Sequence, residues 1–399
     1  MKILKKIPLL VRVIIAIVLG VILGNVLPLW GMRAFATFNF VFSSFLSFLI
    51  PLIIVGLVTA AIADIGKGAG KLLLVTALIA YGDTVFSGLF SYGTSVSVFP
   101  HLINPAAIAQ VAADEAKIDP YFTINIPPLM DVMSALVLSF VMGLGIAHLG
   151  SVSLKRGFDE LRDIVAKTIE VALIPLLPLY IMGIFMSMAN SGQVWHIVKV
   201  FVSIIGVIFA MHIILLLVQY CIAGAIARRN PLKALKTMLP AYFTALGTSS
   251  SAATIPVTLK QTQKNGVRDD IAGFVVPLCA TIHLSGSAMK ITACAVALML
   301  IQGAPIEFGT FVGFIMMLGV MMVAAPGVPG GAIMAALAVL QSMLGFNDEQ
   351  QAMMIALYIT MDSFGTACNV TGDGAIALIV NSMHRSAVSE PSVEVASQG

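Results

Sequence analysis

The sequence predicts an all-α polytopic membrane protein with eight transmembrane helices and two re-entrant helical hairpins related as inverted repeats. Three observations carry that prediction. The 399-residue chain is 59% hydrophobic and only 10% charged, where a soluble domain carries about 25% charged residues. Its mean hydropathy is +1.01. Three apolar runs in its C-terminal half are broken in the middle by Gly, Ser and Pro.

The first run starts directly after Lys2, Lys5, Lys6 and Pro8. It has no small-residue cleavage site and reads as a retained span, not a signal peptide. Ordinary spans follow, so the first six are expected over 9–27, 38–63, 72–98, 129–148, 164–188 and 197–227. Each is long enough to cross about 30 Å of hydrocarbon.

The remainder divides differently. The run over 232–262 is broken between Gly247 and Pro256, that over 271–299 between His283 and Ser287, and that over 308–344 between Ala325 and Gly331. Irregular backbone cannot face lipid, so these breaks must lie within protein or beside a water-filled cavity. Two broken hairpins flanking a broken helix predict a re-entrant inverted-repeat core with a site near the midplane.

Charge placement tests this topology. With the N-terminus in the cytoplasm, Lys67, Lys71, Lys155, Arg156, Arg162, Lys167, Arg228, Arg229, Lys260, Lys264, Arg268 and Arg385 fall inside. Arg33, Lys117 and Lys199 fall outside. The count requires 240–257 to re-enter from the cytoplasmic side and 325–335 from the outside. The stretch 101–123 reads as an external loop, and the Ser-rich stretch 387–399 as a disordered tail. Four cysteines in apolar runs (Cys221, Cys279, Cys294, Cys368) lack metal-ligand spacing and imply no disulfide framework.

The last run, over 351–383, carries the sharpest functional signal. Asp362, Thr366, Asn369 and Asp373 are spaced i, i+4, i+7, i+11 and form one polar stripe on a helix. A carboxylate at the bilayer centre costs ~2.5–3.5 kcal/mol on insertion scales, and it persists where it meets an ion, a substrate or a partner charge.

Three motifs in order resemble the dicarboxylate/amino acid:cation symporter family, with a serine/threonine-transporter-like site. They are Thr248-Ser-Ser-Ser-Ala-Ala-Thr-Ile-Pro256, Gly327-Val-Pro-Gly330 and Asn369-Val-Thr-Gly-Asp373. The resemblance covers nearly the whole chain and implies a homotrimeric elevator-type transporter. By resemblance, scaffold helices lie in 1–70 and 124–192. The transport domain takes 71–100 and 193–386. The resemblance also implies that Asp362 holds a substrate ammonium and Asn369 its α-carboxylate, with Thr366 beside them. Ser249, Ser250 and Ser251 and the tip residues Gly327, Val328 and Gly330 close over the substrate. Asp373 and Asn369, with the carbonyl at Cys279, belong to a cation site, sodium being the expected ion.

The chain departs from the family pattern in three places. Acidic-substrate members carry an arginine where this chain has Gly365, so the expected substrate is a small neutral amino acid such as serine, threonine or alanine. The family's Asn-Met-Asp-Gly-Thr is replaced by His283-Leu-Ser-Gly-Ser287, placing His283 and Ser285 in the coupling region without one cation-binding carboxylate. Lys290 and Asp83 are unusual intramembrane charges and are expected to pair, with Asp373 the rival partner and a snorkelling Lys290 the bland alternative. Proton-coupled symport of amino acids or dicarboxylates through His283 is the second functional reading. An intramembrane hydrolase lacks a readable acid–base set, and a channel lacks symmetric polar rings. No enzyme activity and no cofactor beyond the coupling ion is expected. The implied partners are an amino acid, a cation and the lipid of the cell membrane, with both termini cytoplasmic.

Overall fold

The computed structural model describes residues 9–66, 71–103, 118–190, 194–325 and 329–388, and the regular structure among them is helical throughout. Gly327, Val328, most of the expected external loop and nearly all of the expected tail lie outside the described residues.

The first helices are α1 (Leu9–Val26), α2 (Leu29–Gly66), α3 (Lys71–Leu102) and α4 (Val132–Leu149). Next, α5 (Val152–Thr168) runs through a π-turn at Ile169–Leu173 into α6 (Ile174–Asn190), and α7 (Val194–Ala227) follows. The π-turn lies just before Pro178, and such single-turn bulges re-aim a long helix without ending it. The polar α5 precedes the expected fifth span, and its Lys155 ties to Asp64 at the end of α2 at 2.5 Å.

The first hairpin is α8 (Pro231–Thr248) and α9 (Ser251–Lys264). Its tip is two residues long. Ser249 takes a left-handed conformation at φ 50°, and the Ser250 side chain caps α9 by accepting from the Ala253 N–H at 3.3 Å. The interrupted helix is α10 (Asp269–Ile282) and α11 (Ser285–Ile301), with His283 extended between them. The second hairpin is α12 (Phe308–Ala324) and α13 (Gly331–Leu344).

The last expected span is not one helix. It is α14 (Asp348–Thr360) and α15 (Asp362–Val388), separated at Met361. The Met361 carbonyl starts α15 by accepting from Gly365 N–H at 3.1 Å.

Among the described residues, six helical stretches are long and apolar enough to cross a membrane: α1, α2, α3, α5–α6, α7 and α10–α11. The expected fourth and last spans fall outside that set. The first of these is short, and the second is split and carries the polar stripe.

Packing explains which helices are apolar all round. In α11 every residue but Leu300 is buried, because α3, α15, α14, α13 and α12 all touch it. Hydroxyls tie α3 to it: Ser87 donates to the Ser285 carbonyl and Ser91 to the Met289 carbonyl, both at 2.8 Å. A second set of contacts joins α1 to α6 and α2 to α4 and α5. Gly20 and Gly24 let α1 meet α6 backbone to backbone, since a Cβ at Gly24 would lie 2.4 Å from the Met186 carbonyl oxygen. Replacing Gly24 by Val should therefore cost about 1–3 kcal/mol through overpacking and lower the thermal midpoint in detergent. Gly82→Ala, where nothing lies within 4 Å, serves as the control and should leave the midpoint unchanged.

Candidate functional site

Helix ends converge where the breaks meet. The start of α9, the junction of α10 and α11, the start of α13 and the start of α15 surround one cavity, whose wall includes Ser249, Ser251, Ser287, Asp362, Thr366 and Asn369. Two hairpins contribute helix N-termini, whose unpaired N–H groups favour negative charge. The four residues of the polar stripe all lie on α15 and are all buried.

Asp362 is held from two sides. Its Oδ2 accepts from the Gly330 backbone N–H at 3.0 Å, and its Oδ1 lies 3.5 Å from the Lys290 ammonium. Lys290 also donates to the Met361 carbonyl at 3.3 Å and sits 3.7 Å over the Tyr358 ring. The expected pair of Lys290 with Asp83, or with Asp373, is thus corrected: the partner is Asp362. Nor does Lys290 snorkel, for its side chain is wholly buried. The reason is helix rotation. Lys290 projects from α11 onto the α15 backbone at Gly365, where a Cβ would lie 2.5 Å from its Nζ. Gly365 therefore marks the seat of a cation supplied by another helix, which the sequence-based argument for a neutral substrate did not include.

Asp83 and Asp373 share His283 instead. Its Nε2 lies 2.7 Å from Asp83 Oδ2, and its Nδ1 lies 2.8 Å from Asp373 Oδ1. The ring fits because residue 372 is glycine, where a Cβ would stand 2.8 Å from His283 Cε1. Gln219, from α7, donates to Asp83 Oδ2 at 2.6 Å and to the Ser285 hydroxyl at 3.2 Å.

The other expected residues are placed as follows. The Asn369 amide oxygen accepts from the Gly286 N–H at 2.8 Å, and its NH2 donates to the Ser287 hydroxyl at 3.2 Å. It orders the break in the α10–α11 helix while one edge faces the cavity. The Thr366 hydroxyl donates to the Asp362 carbonyl at 2.9 Å, leaving its lone pairs for a ligand. The Ser249 hydroxyl pairs with that of Ser363 at 2.6 Å. The Cys279 carbonyl accepts from the His283 N–H at 2.9 Å, within the last turn of α10. Among the described residues no group of three or more His, Cys, Asp or Glu is arranged around a common metal position. Gln219 and Tyr358 are additional site residues. A glutamine in the middle of an apolar span is the signal that would have found Gln219; Tyr358 carries none, since a tyrosine in an apolar run reads as packing.

Breaking a buried charge pair by removing one partner costs about 3–5 kcal/mol, much of it from the stranded charge. Lys290→Met should destabilise the protein strongly, and Asp362→Asn added to it should restore part of the loss. Asp83→Asn added to Lys290→Met should restore none. Thermal midpoints of the wild type and these three variants in detergent check the pairing, and rescue by Asp83→Asn would contradict it.

Comparison with known proteins agrees with this architecture. A sequence model of the family described as "Sodium:dicarboxylate symporter family" matches residues 9–383. The excitatory amino acid transporter 1 of Rattus norvegicus is 28% identical over 249 residues, which are 61% of this chain and 45% of that protein. The excitatory amino acid transporter 3 of Mus musculus is 29% identical over 248 residues, 61% of this chain and 47% of that protein. The chain spans about half the length of the curated relatives it matches. With the family match running through every helix that frames the cavity, the chain belongs to the sodium:dicarboxylate symporter family.

Proposed function

We propose that the protein is a secondary active transporter of the cell membrane that carries a small neutral amino acid, such as serine, threonine or alanine, in symport with a cation. The single observation that carries this reading is the cavity wall. It offers one carboxylate, Asp362, among hydroxyls and an amide, and Lys290 lies behind that wall, not on it.

The chemistry suits a zwitterion. The 3.5 Å separation of Lys290 from Asp362 is long beside the 2.7–2.9 Å of a charge-assisted hydrogen bond. Asp362 thus retains capacity for a substrate ammonium. The α-carboxylate would face the N-terminus of α9, with the Thr366 hydroxyl and the Asn369 amide beside it. The tip residues of both hairpins would cover the bound substrate, which makes their movement the gate. Sodium is the coupling ion that the family name favours. The elevator division, with α1, α2 and α4–α6 as scaffold and α3 and α7–α15 as the moving part, is supported by the dense packing within each group. Homotrimeric assembly and cytoplasmic termini complete the proposal. A hydrolytic role finds no support, since both His283 nitrogens face carboxylates and the Ser285 hydroxyl faces Gln219.

One observation favours a second reading. The Lys290 ammonium stands over Gly365, so a small rotation of its chain would offer a cation to a second substrate carboxylate. The relatives named excitatory amino acid transporters fit that alternative.

Uptake into proteoliposomes, with sodium and proton gradients imposed separately, tests both readings. Alanine, serine or threonine should accumulate under the sodium gradient, and an excess of aspartate or succinate should compete poorly. Asp362→Ala should weaken substrate binding about 100-fold or more, as expected for loss of a buried charge-assisted contact. High-affinity aspartate uptake that is lost in Lys290→Met would establish the acidic reading in its place.

A further inference from the structure

We propose that Tyr358 sets the substrate class of the site: its ring screens the Lys290 ammonium from the cavity and so excludes acidic amino acids. The inference rests on the neutral-symport reading and names the side chain that enforces it.

Lys290 is wholly buried and forms no part of the cavity wall, yet two wall residues, Asp362 and Tyr358, lie against its ammonium. The Asp362 carboxylate stands 3.5 Å away, and the centre of the Tyr358 ring 3.7 Å away. An ammonium has three N–H donors. Here the carboxylate, the Met361 carbonyl at 3.3 Å and the ring face supply three partners. An aromatic face attracts a cation through its quadrupole while carrying no net charge. The ring therefore offsets part of the ammonium's desolvation and presents an uncharged group to the cavity in its place.

The ring is held from the side away from the lysine chemistry. Its hydroxyl pairs with that of Ser287 at 3.0 Å, and Ser287 in turn accepts from the Asn369 NH2 at 3.2 Å. Tyr358 lies in the last turn of α14, just before the break at Met361, and is only 2% exposed. Of the two wall residues against Lys290, Asp362 is engaged by the substrate ammonium. Tyr358 thus decides whether a second substrate carboxylate reaches a cation. With the ring present, that carboxylate is buried without a partner, which is strongly unfavourable. With the ring removed, the space it leaves joins the cavity to the ammonium, and the flexible four-carbon stem of the lysine can swing toward a ligand.

Aspartate and asparagine differ by one charge at nearly equal size. Their relative power to inhibit alanine uptake into proteoliposomes therefore separates charge from space. In the wild type asparagine should be the better inhibitor. Tyr358→Ala should shift the ratio of the two inhibition constants toward aspartate by about 10- to 100-fold, the range expected for one hydrogen bond to a charged group. Tyr358→Leu leaves a smaller void, should shift the ratio in the same direction, and serves if the alanine variant does not fold. Tyr358→Phe keeps the ring and should leave the ratio at its wild-type value. Adding Lys290→Gln to either ring-deleting variant should restore the wild-type ratio, since any loss shared by the two ligands cancels. A tyrosine that merely fills space would, on removal, admit both ligands equally. An unshifted ratio in Tyr358→Ala or Tyr358→Leu, an equal shift in Tyr358→Phe, or a shift that survives Lys290→Gln would overturn the inference while leaving neutral symport intact. A wild type that prefers aspartate to asparagine, or that shows no gradient-driven uptake of alanine, serine and threonine, would overturn the neutral reading and this inference with it.

Discussion

A carboxylate inside a membrane protein needs a hydrogen-bonding or charged partner, and three carboxylates within the helical core, one of them on the cavity wall, set the arrangement of this core. Asp362 meets Lys290, and Asp83 and Asp373 meet His283. These contacts require α3, α11 and α15 to lie against one another at the junction of α10 and α11. Small residues make that approach possible. Gly365 accommodates the Lys290 ammonium, Gly372 accommodates the His283 ring, and Ser87 and Ser91 reach α11 carbonyls from α3. Charge pairing and close backbone contact depend on the same positions, so a side chain added at Gly365 or Gly372 would disturb both.

The breaks in the helices follow from the same constraint. Each break frees backbone groups that cannot be left unpaired away from water. Asn369 takes up the Gly286 N–H, Asp362 takes up the Gly330 N–H, and Lys290 donates to the Met361 carbonyl. Broken ends and buried charges therefore satisfy one another. The surface left over is the cavity wall, which includes Asp362, Thr366, Ser251 and Asn369.

Much of this was legible in the chain, and the parts that were not have physical reasons. The hairpin tips were readable because Gly, Ser and Pro interrupt apolar runs at Ser249 and Ser250 and before Gly331. The stripe from Asp362 to Asp373 was readable because helical spacing alone puts it on one face. The break at Met361 was not, because Tyr358-Ile-Thr-Met-Asp362 contains no Gly or Pro; contacts from Gly330 and Lys290 hold the chain there. The partner of Lys290 was equally hidden. Asp83 and Asp373 were the acids expected from the sequence, and the rotation of α11 against α15 selects Asp362 instead. The same rotation gives His283 both remaining acids, which no spacing within one helix could reveal.

The central claim is that the Asp362 carboxylate receives the ammonium of the substrate. Calorimetric titration of the purified protein with L-alanine and with L-lactate, which replaces the ammonium by a hydroxyl, tests it most directly. The account predicts that alanine binds at least about 100-fold more tightly, a difference of about 2.7 kcal/mol, and that Asp362→Asn removes most of that preference. Equal affinity for the two ligands, or a preference that survives Asp362→Asn, would contradict it.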